Sequence, residues 1–399
     1  MSERGAAALN AAREYEGDIV RFLREMIAIR AESGSEGERC ERVRSEYEKL
    51  GFDDVHFDRL GNVMARLGSG PLKILMDGHI DCVGVGDPDA WDFDPFKGKM
   101  EDGKIWGRGA VDELPAIACM AYGAKMLAAR GIPEDVTIYL SATVMEEDCD
   151  GYCLLHMIEK EGLRPDVVVI GEPTDLDVYR GQRGRMEATI TTRGKSAHGA
   201  HCDLGINALY KMAPIIRDIE SLHGRLKDDP FLGKGSVTVT FVECTTPSLN
   251  AVPDSARIYI DRRLTVGETV ESALEELRSL PSIGDAVVEL LEYDTKSWRG
   301  ERAHQDKYYP TWVLDEDHPL VQGVASAVES VNGAKPAISR WFFSTNGVAS
   351  MGRHNIPSVG FAPGLEALAH TTGEWAVSYT HLRAHETAMN ISYAVFCLK

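Results

Sequence analysis

At 399 residues the chain is long enough for two hydrophobic cores, so two domains are the default expectation. Its hydrophobic share of 44% and charged share of 26% are ordinary for a globular protein. A net charge of −19 argues against nucleic acid and anionic membranes as partners, because both repel an acidic surface.

The N-terminal stretch has no long apolar core, so no leader peptide is expected. No run reaches the ~18 apolar residues that a membrane span needs. Eight cysteines are scattered without a CxxC pair, which suits a reduced, cytoplasmic protein with free thiols. In residues 8–30, Ile19, Phe22, Leu23, Met26 and Ile27 fall at helical spacing and predict an amphipathic helix. Ser33 to Ser35 break it, and a second helix runs from Glu36 to Leu50 with Gly51 as its cap. Asp54 to Phe57 and Gly61 to Arg66 read as a hairpin.

Three short apolar runs follow, and each stops at a potential metal ligand. KILMDG runs into His79 and then Asp81, VTIYLSATVM into Glu146 and Glu147, and DVVVIG into Glu172. Such runs read as buried parallel strands, and ligands bind beyond the carboxyl ends of these strands. Asp112 in GRGAVD and His370 after VGFAPG join the set. Taken alone, the acidic run from Glu146 to Asp150 is a solvated turn and Asp112 a helix cap; the strands leading into the site favour chemistry. Between these runs, Leu114 to Ala129 predicts a buried helix.

From Arg180 the texture changes to alternating strands: RMEATITTRG, SVTVTFVEC, SARIYIDRRLTV and AVVELLEY. Helical stretches Asn207 to His223 and Glu268 to Leu280 separate them. This order predicts a four-stranded antiparallel sheet with two helices, an α+β domain. The chain leaves it near Asp294, and helix Leu320 to Asn332 and strand Ser358 to Ala362 return to the first domain. The expected architecture is therefore an α/β domain, a mixed sheet with helices on both faces, formed by residues 1–180 and 295–376. Residues 181–294 are inserted into it.

Two divalent ions about 3.5–4 Å apart can be held by imidazoles and carboxylates with one acid bridging. Two histidines, a bridging aspartate and two glutamates supply that set, and one further carboxylate must stay free to take a proton from water. Asp81, two residues from His79, is suited to accept the imidazole's other N–H.

GHID at 78–81, GRGAVD at 107–112, MEED at 145–148, GEPT at 171–174, SAH at 196–198 and AHTTGE at 369–374 resemble the M20 metallopeptidase family. That family includes acetylornithine deacetylases, succinyl-diaminopimelate desuccinylases and carboxypeptidase G. The run at 339–364 resembles its selenium-metabolism-linked hydrolase branch. The resemblance implies that His79 and Glu172 hold one ion, Glu147 and His370 the other, and Asp112 bridges. Glu146 is then the general base and Asp81 orients His79. His198 is implied to reach a partner subunit's active site. Asn250 and Arg263 match substrate-contacting positions, and Arg340 is a candidate for a substrate carboxylate unless it stacks on an aromatic ring. The metals are expected to be zinc, with cobalt or manganese as alternatives. A homodimer through the inserted domain is implied, with no nucleic acid or membrane partner. The expected activity is hydrolysis of an amide, whether peptide, N-acyl or N-carbamoyl, in a small carboxylate-bearing substrate. A single-domain two-zinc aminopeptidase is disfavoured by the inserted domain.

The chain departs from the family pattern after Asp112: a Lys-Gly pair two residues on is replaced, and the sequence reads Glu113, Leu114, Pro115. This keeps open a catalytically impaired, metal-binding homologue with a sensing or scaffolding role. Residues 377–399 fit no part of this pattern. VSYTHLRAHET and ISYAVFCL resemble a translated sequencing adaptor, so this tail is expected to be non-native and His381 and His385 are not taken as ligands.

Overall fold

The computed structural model describes residues 3–377; beyond Val377, the tail and its two histidines lie outside the described residues. A nine-stranded mixed sheet forms the larger unit. Its central strands Val136–Thr143, Leu72–His79 and Val167–Ile170 are parallel neighbours, with Ser358–Gly360 next to the last. All four residues of Val167–Ile170 are buried, as are the last six of Leu72–His79. Such side chains contribute about 1.5–3 kcal/mol each when fully buried, which is why these runs read as continuous rather than alternating. The expected hairpin is Asp53–Phe57 with Val63–Gly68, extending the sheet on its antiparallel edge.

Helix Glu3–Ala28 packs on Leu114–Arg130 and on Pro319–Asn332. Leu114–Arg130 begins one residue later than an Asp112 cap would require: Glu113 holds the cap position, and its side chain makes no capping bond. Gly37–Leu50 ends at Gly51 with φ of 78°, the left-handed turn that glycine permits. No helix among the described residues is long and apolar enough to cross a membrane.

The smaller sheet is antiparallel, in the order Ser236–Thr245, Ser255–Leu264, Gly184–Arg193, Val287–Leu290. Along Ser255–Leu264 buried and half-buried residues alternate strictly, so one face meets the helices and Arg263 lies on the other. Its helices are Ala208–Arg225, capped by Asn207, and Val270–Arg278, opened by a Thr269–Ser272 capping box. They close a second core built on Ile190, Ile215, Ile258 and Leu277.

The return path differs from the expectation. AVVELLEY is split into two strands, and Glu292–Lys296 forms a hairpin with Arg302–Asp306. Trp298 at its tip donates to the Gly61 carbonyl at 3.2 Å and meets Phe57 edge-on, anchoring it to the larger unit. Tyr308–Tyr309 then pairs with Gly184–Arg193 as a short fifth strand of the smaller sheet.

Candidate metal centre

In the parallel register His79 stands beside Thr143, and Asp77 beside Ile170. The strand ends are thus level, and Glu146, Glu147 and Glu172 emerge within a few residues of His79. Asp112 lies between two histidines. Its Oδ1 is 2.9 Å from His79 Nε2 and its Oδ2 is 3.1 Å from His370 Nε2. Glu147 Oε2 is 3.1 Å from His370 Nε2, and Glu172 Oε1 is 3.7 Å from His79 Nε2. Glu146 Oε2 lies 4.0 Å from His79 Nε2. The five residues expected as ligands, with Glu146, are therefore brought together.

These groups are buried except Glu147, which is half-buried, and His370, whose side chain is 50% exposed. Burial first, then neighbouring carboxylates, pushes Glu146 and Glu172 well above the usual carboxylate range. Burial also opposes the Asp112 carboxylate, but hydrogen bonds with His370 and His79 hold it below that range. Hydrogen bonds to Asp112 and Glu147 push His370 up to about 10. Glu146 Oε1 and Glu172 Oε2 are buried without a hydrogen-bond partner among the described residues. Unpartnered buried acids crowded around two imidazoles form a donor set that suits divalent cations. Ligand atoms of His79, Asp112 and Glu147 lie within 4.8 Å of one another, and so do those of His79, Glu113 and Glu172.

A second layer fixes the turn that carries the acids. Four successive amides are captured by side chains: Val144 N donates to Asn62 Oδ1 (3.0 Å), Met145 N to Glu36 Oε1 (3.0 Å), Glu146 N to Asp81 Oδ1 (3.2 Å) and Glu147 N to Asp81 Oδ2 (3.1 Å). They hold Met145 at a φ of 64°, unfavourable for a side-chain-bearing residue. Asp81 was expected to orient His79 through its carboxylate. Its backbone carbonyl makes the shorter contact with His79 Nδ1, 2.9 Å against 3.5 Å for the carboxylate, which mainly grips the turn and the Ser33 hydroxyl. Burial and Asp81 push Glu36 up to about 8.

Opposite this turn, Glu374 Oε1 accepts from Val111 N at 2.8 Å and Asp112 N at 3.0 Å, while Oε2 pairs with Arg108 at 2.7 Å. Arg108 Nη2 also reaches the His370 carbonyl at 3.5 Å, joining the loops that carry Asp112 and His370. Sequence reading missed Glu36, Asn62, Arg108 and Glu374 as site residues; the glutamate of AHTTGE was the available signal for the last.

The acids open into a cavity of about 300 Å³. Its wall includes Arg263, and also Asp150, Arg185 and Phe343, which were not foreseen. Arg185 pairs with Asp150 at 3.1 Å and lies over the Tyr309 ring. His198, Asn250 and Arg340 do not line it. His198 and Asn250 are exposed neighbours on the smaller unit: Gly199 N donates to the Asn250 carbonyl, and His198 bridges Ala251. The structure favours the stacking alternative for Arg340, whose guanidinium lies 4.8 Å from the Phe342 ring centre and 5.6 Å from that of Phe231. Another hollow, of about 450 Å³, lies by Phe241 and Tyr259 on the smaller sheet and is lined by none of the candidate ligands.

The profile of "Peptidase family M20/M25/M40" matches residues 75–395. The chain is 47% identical over 368 residues to "Uncharacterized protein YgeY" of Escherichia coli K12, covering 92% of this chain and 91% of that protein. It is 30% identical over 329 residues to a succinyl-diaminopimelate desuccinylase of Magnetococcus marinus, covering 79% and 82%. Its fold matches the Bacillus subtilis YXEP protein, described as a dinuclear metal binding peptidase, with a TM-score of 0.71, 14% identity and coverage of 96% and 99%.

Proposed function

The chain belongs to peptidase family M20/M25/M40 and is a metal-dependent hydrolase, and we propose that it cleaves an amide bond beside a carboxylate in a small peptide, N-acyl or N-carbamoyl compound. One observation carries this reading: both oxygens of Asp112 face a histidine, with Glu147 next to one and Glu172 next to the other. In this reading His79 and Glu172 hold one divalent ion, Glu147 and His370 the second, and Asp112 both, with zinc as the first choice. When bound, the ions lower the pKa of a water and polarise the scissile carbonyl.

Glu146 is the general base. Its buried Oε1 has no competing donor among the described residues, so it can take the proton of the attacking water and pass it to the leaving nitrogen. Asp81, Asn62 and Glu36 fix the backbone that aims it. Arg263 on the cavity wall is suited to the substrate carboxylate; Arg340 keeps only a rim role beside Phe342.

His198 and Asn250 serve the cavity of a second copy of the chain, where His198 stabilises the oxyanion. Their exposure and their absence from this chain's own cavity support that arrangement. The edge strand Ser236–Thr245, with Phe241 57% and Val242 51% exposed, is suited to pair with its twin. The setting is cytoplasmic; seven free cysteines among the described residues are consistent with it.

The test is a screen of dipeptides, N-acyl and N-carbamoyl amino acids with the metal-loaded chain. Hydrolysis that chelation abolishes is expected. A chain that binds two metals and turns over none of these classes would instead support the sensing or scaffolding alternative.

A further inference from the structure

We propose that Glu113 is an additional ligand of the metal pair, on the side of His79 and Glu172. The inference rests on the two-metal reading above and extends it to a residue outside the expected ligand set.

Glu113 is 1% exposed. Its Oε1 accepts the backbone N–H of His79, and its Oε2 is buried with no hydrogen-bond partner among the described residues. The next two residues, Leu114 and Pro115, bring no charge. A carboxylate ligand atom of Glu113 lies within 4.8 Å of those of His79 and Glu172. Room for the carboxylate comes from Gly78, where a Cβ would stand 3.0 Å from Glu113 Oε1.

Charge makes the case sharper. Two divalent ions carry four positive charges, and the expected ligands Asp112, Glu147 and Glu172 supply three negative ones, with Glu146 beside them as the base. Glu113 is a fifth acid in the same buried cup, and a buried acid without a partner is costly. Coordination through Oε2 supplies the missing partner. A further carboxylate oxygen also raises the oxygen share and coordination number of that ion, which moves its preference from Zn2+ toward Mn2+.

The experiment uses the metal-stripped full chain and its Glu113→Gln variant, titrated calorimetrically with Mn2+ and Zn2+, and loaded with Co2+ for its visible spectrum. Glu113→Gln keeps the acceptor for His79 N–H and removes the anionic donor. One of the two sites should weaken by about 10- to 100-fold, more for Mn2+ than for Zn2+, and the Co2+ bands should strengthen as coordination number falls. Unchanged affinities and an unchanged Co2+ spectrum would overturn the proposal and leave Glu113 as a plain hydrogen-bond acceptor. Should Glu113→Gln fail to fold, Glu113→Asp, which shortens the reach and keeps the charge, is read the same way. A wild-type chain that binds neither metal would sink the two-metal reading itself, an outcome distinct from two intact sites indifferent to Glu113.

Discussion

The two units treat their polar residues in opposite ways. Around the large sheet His79, Asp112, Glu146 and Glu172 are buried, and each supporting backbone amide is held by a side chain from another part of the chain. On the inserted unit His198 and Asn250 stand in solvent, held by local contacts such as His198 Nδ1 accepting from Ala200 N at 3.0 Å. A site that must bind charge and direct a proton is best pre-organised in a dry, rigid cup. A site that meets its target only in an assembly is left exposed until that assembly forms. In the proposed reading one chain holds the metal cup complete, while its oxyanion-stabilising group comes from a second copy.

The sharpest way to break this comparison is at Glu146. Glu146→Gln is expected to lower turnover by about 10²- to 10⁴-fold while metal content, read by elemental analysis, stays at the wild-type level. Turnover within a few-fold of wild type would move the base elsewhere. Glu36 sharpens the comparison one layer out. Glu36→Ala orphans the Met145 amide and should reduce kcat about tenfold, equivalent to about 1.4 kcal/mol, with KM little changed. Glu36→Gln, which keeps an acceptor for Met145 N, should restore most of it; equal loss in both variants would contradict a positioning role.

A further test lies away from the cup and acts on stability rather than turnover. Glu46 joins Arg21, Arg42, Lys49 and Tyr122 where three helices meet. Burial opposes its charge, but the Tyr122 and Arg42 hydrogen bonds outweigh it and hold the carboxyl down at about 2. Because the folded pKa lies below the unfolded one, this stabilisation is full above about pH 4.3. It fades as pH falls toward about 2. Glu46→Gln should cost about 1–3 kcal/mol at neutral pH, and chemical denaturation should show the gap to wild type closing through that acid range. A gap that stays constant with pH would contradict the assignment.

The metal cup was largely legible in the sequence because buried parallel strands are continuous apolar runs that stop abruptly, and whatever follows the stop faces the crevice. Alternation and capping residues likewise announced the inserted sheet and its helices. The supporting layer was not legible, since Glu36 to Met145, Asn62 to Val144 and Glu374 to Asp112 join residues 82 to 262 positions apart, which no local pattern encodes. Glu113 was read only as a departure from a familiar pattern, because its burial beside His79 depends on how the loop after Gly107 folds back. The Trp298 hairpin escaped notice for a similar reason: its anchor, the Gly61 carbonyl, is 237 positions away. Arg340 was ambiguous in sequence, and in the fold its guanidinium lies 4.8 Å from the Phe342 ring centre.

The division between a self-contained metal cup and a group lent by a second copy is tested most directly by complementation. His198→Ala and His370→Ala chains, each nearly inactive, are mixed, dissociated and reassociated, and hydrolysis is measured. The account predicts partial recovery, since a mixed dimer holds one cup with its own His370 and a His198 from its partner. Mixed dimers no more active than either parent would contradict it.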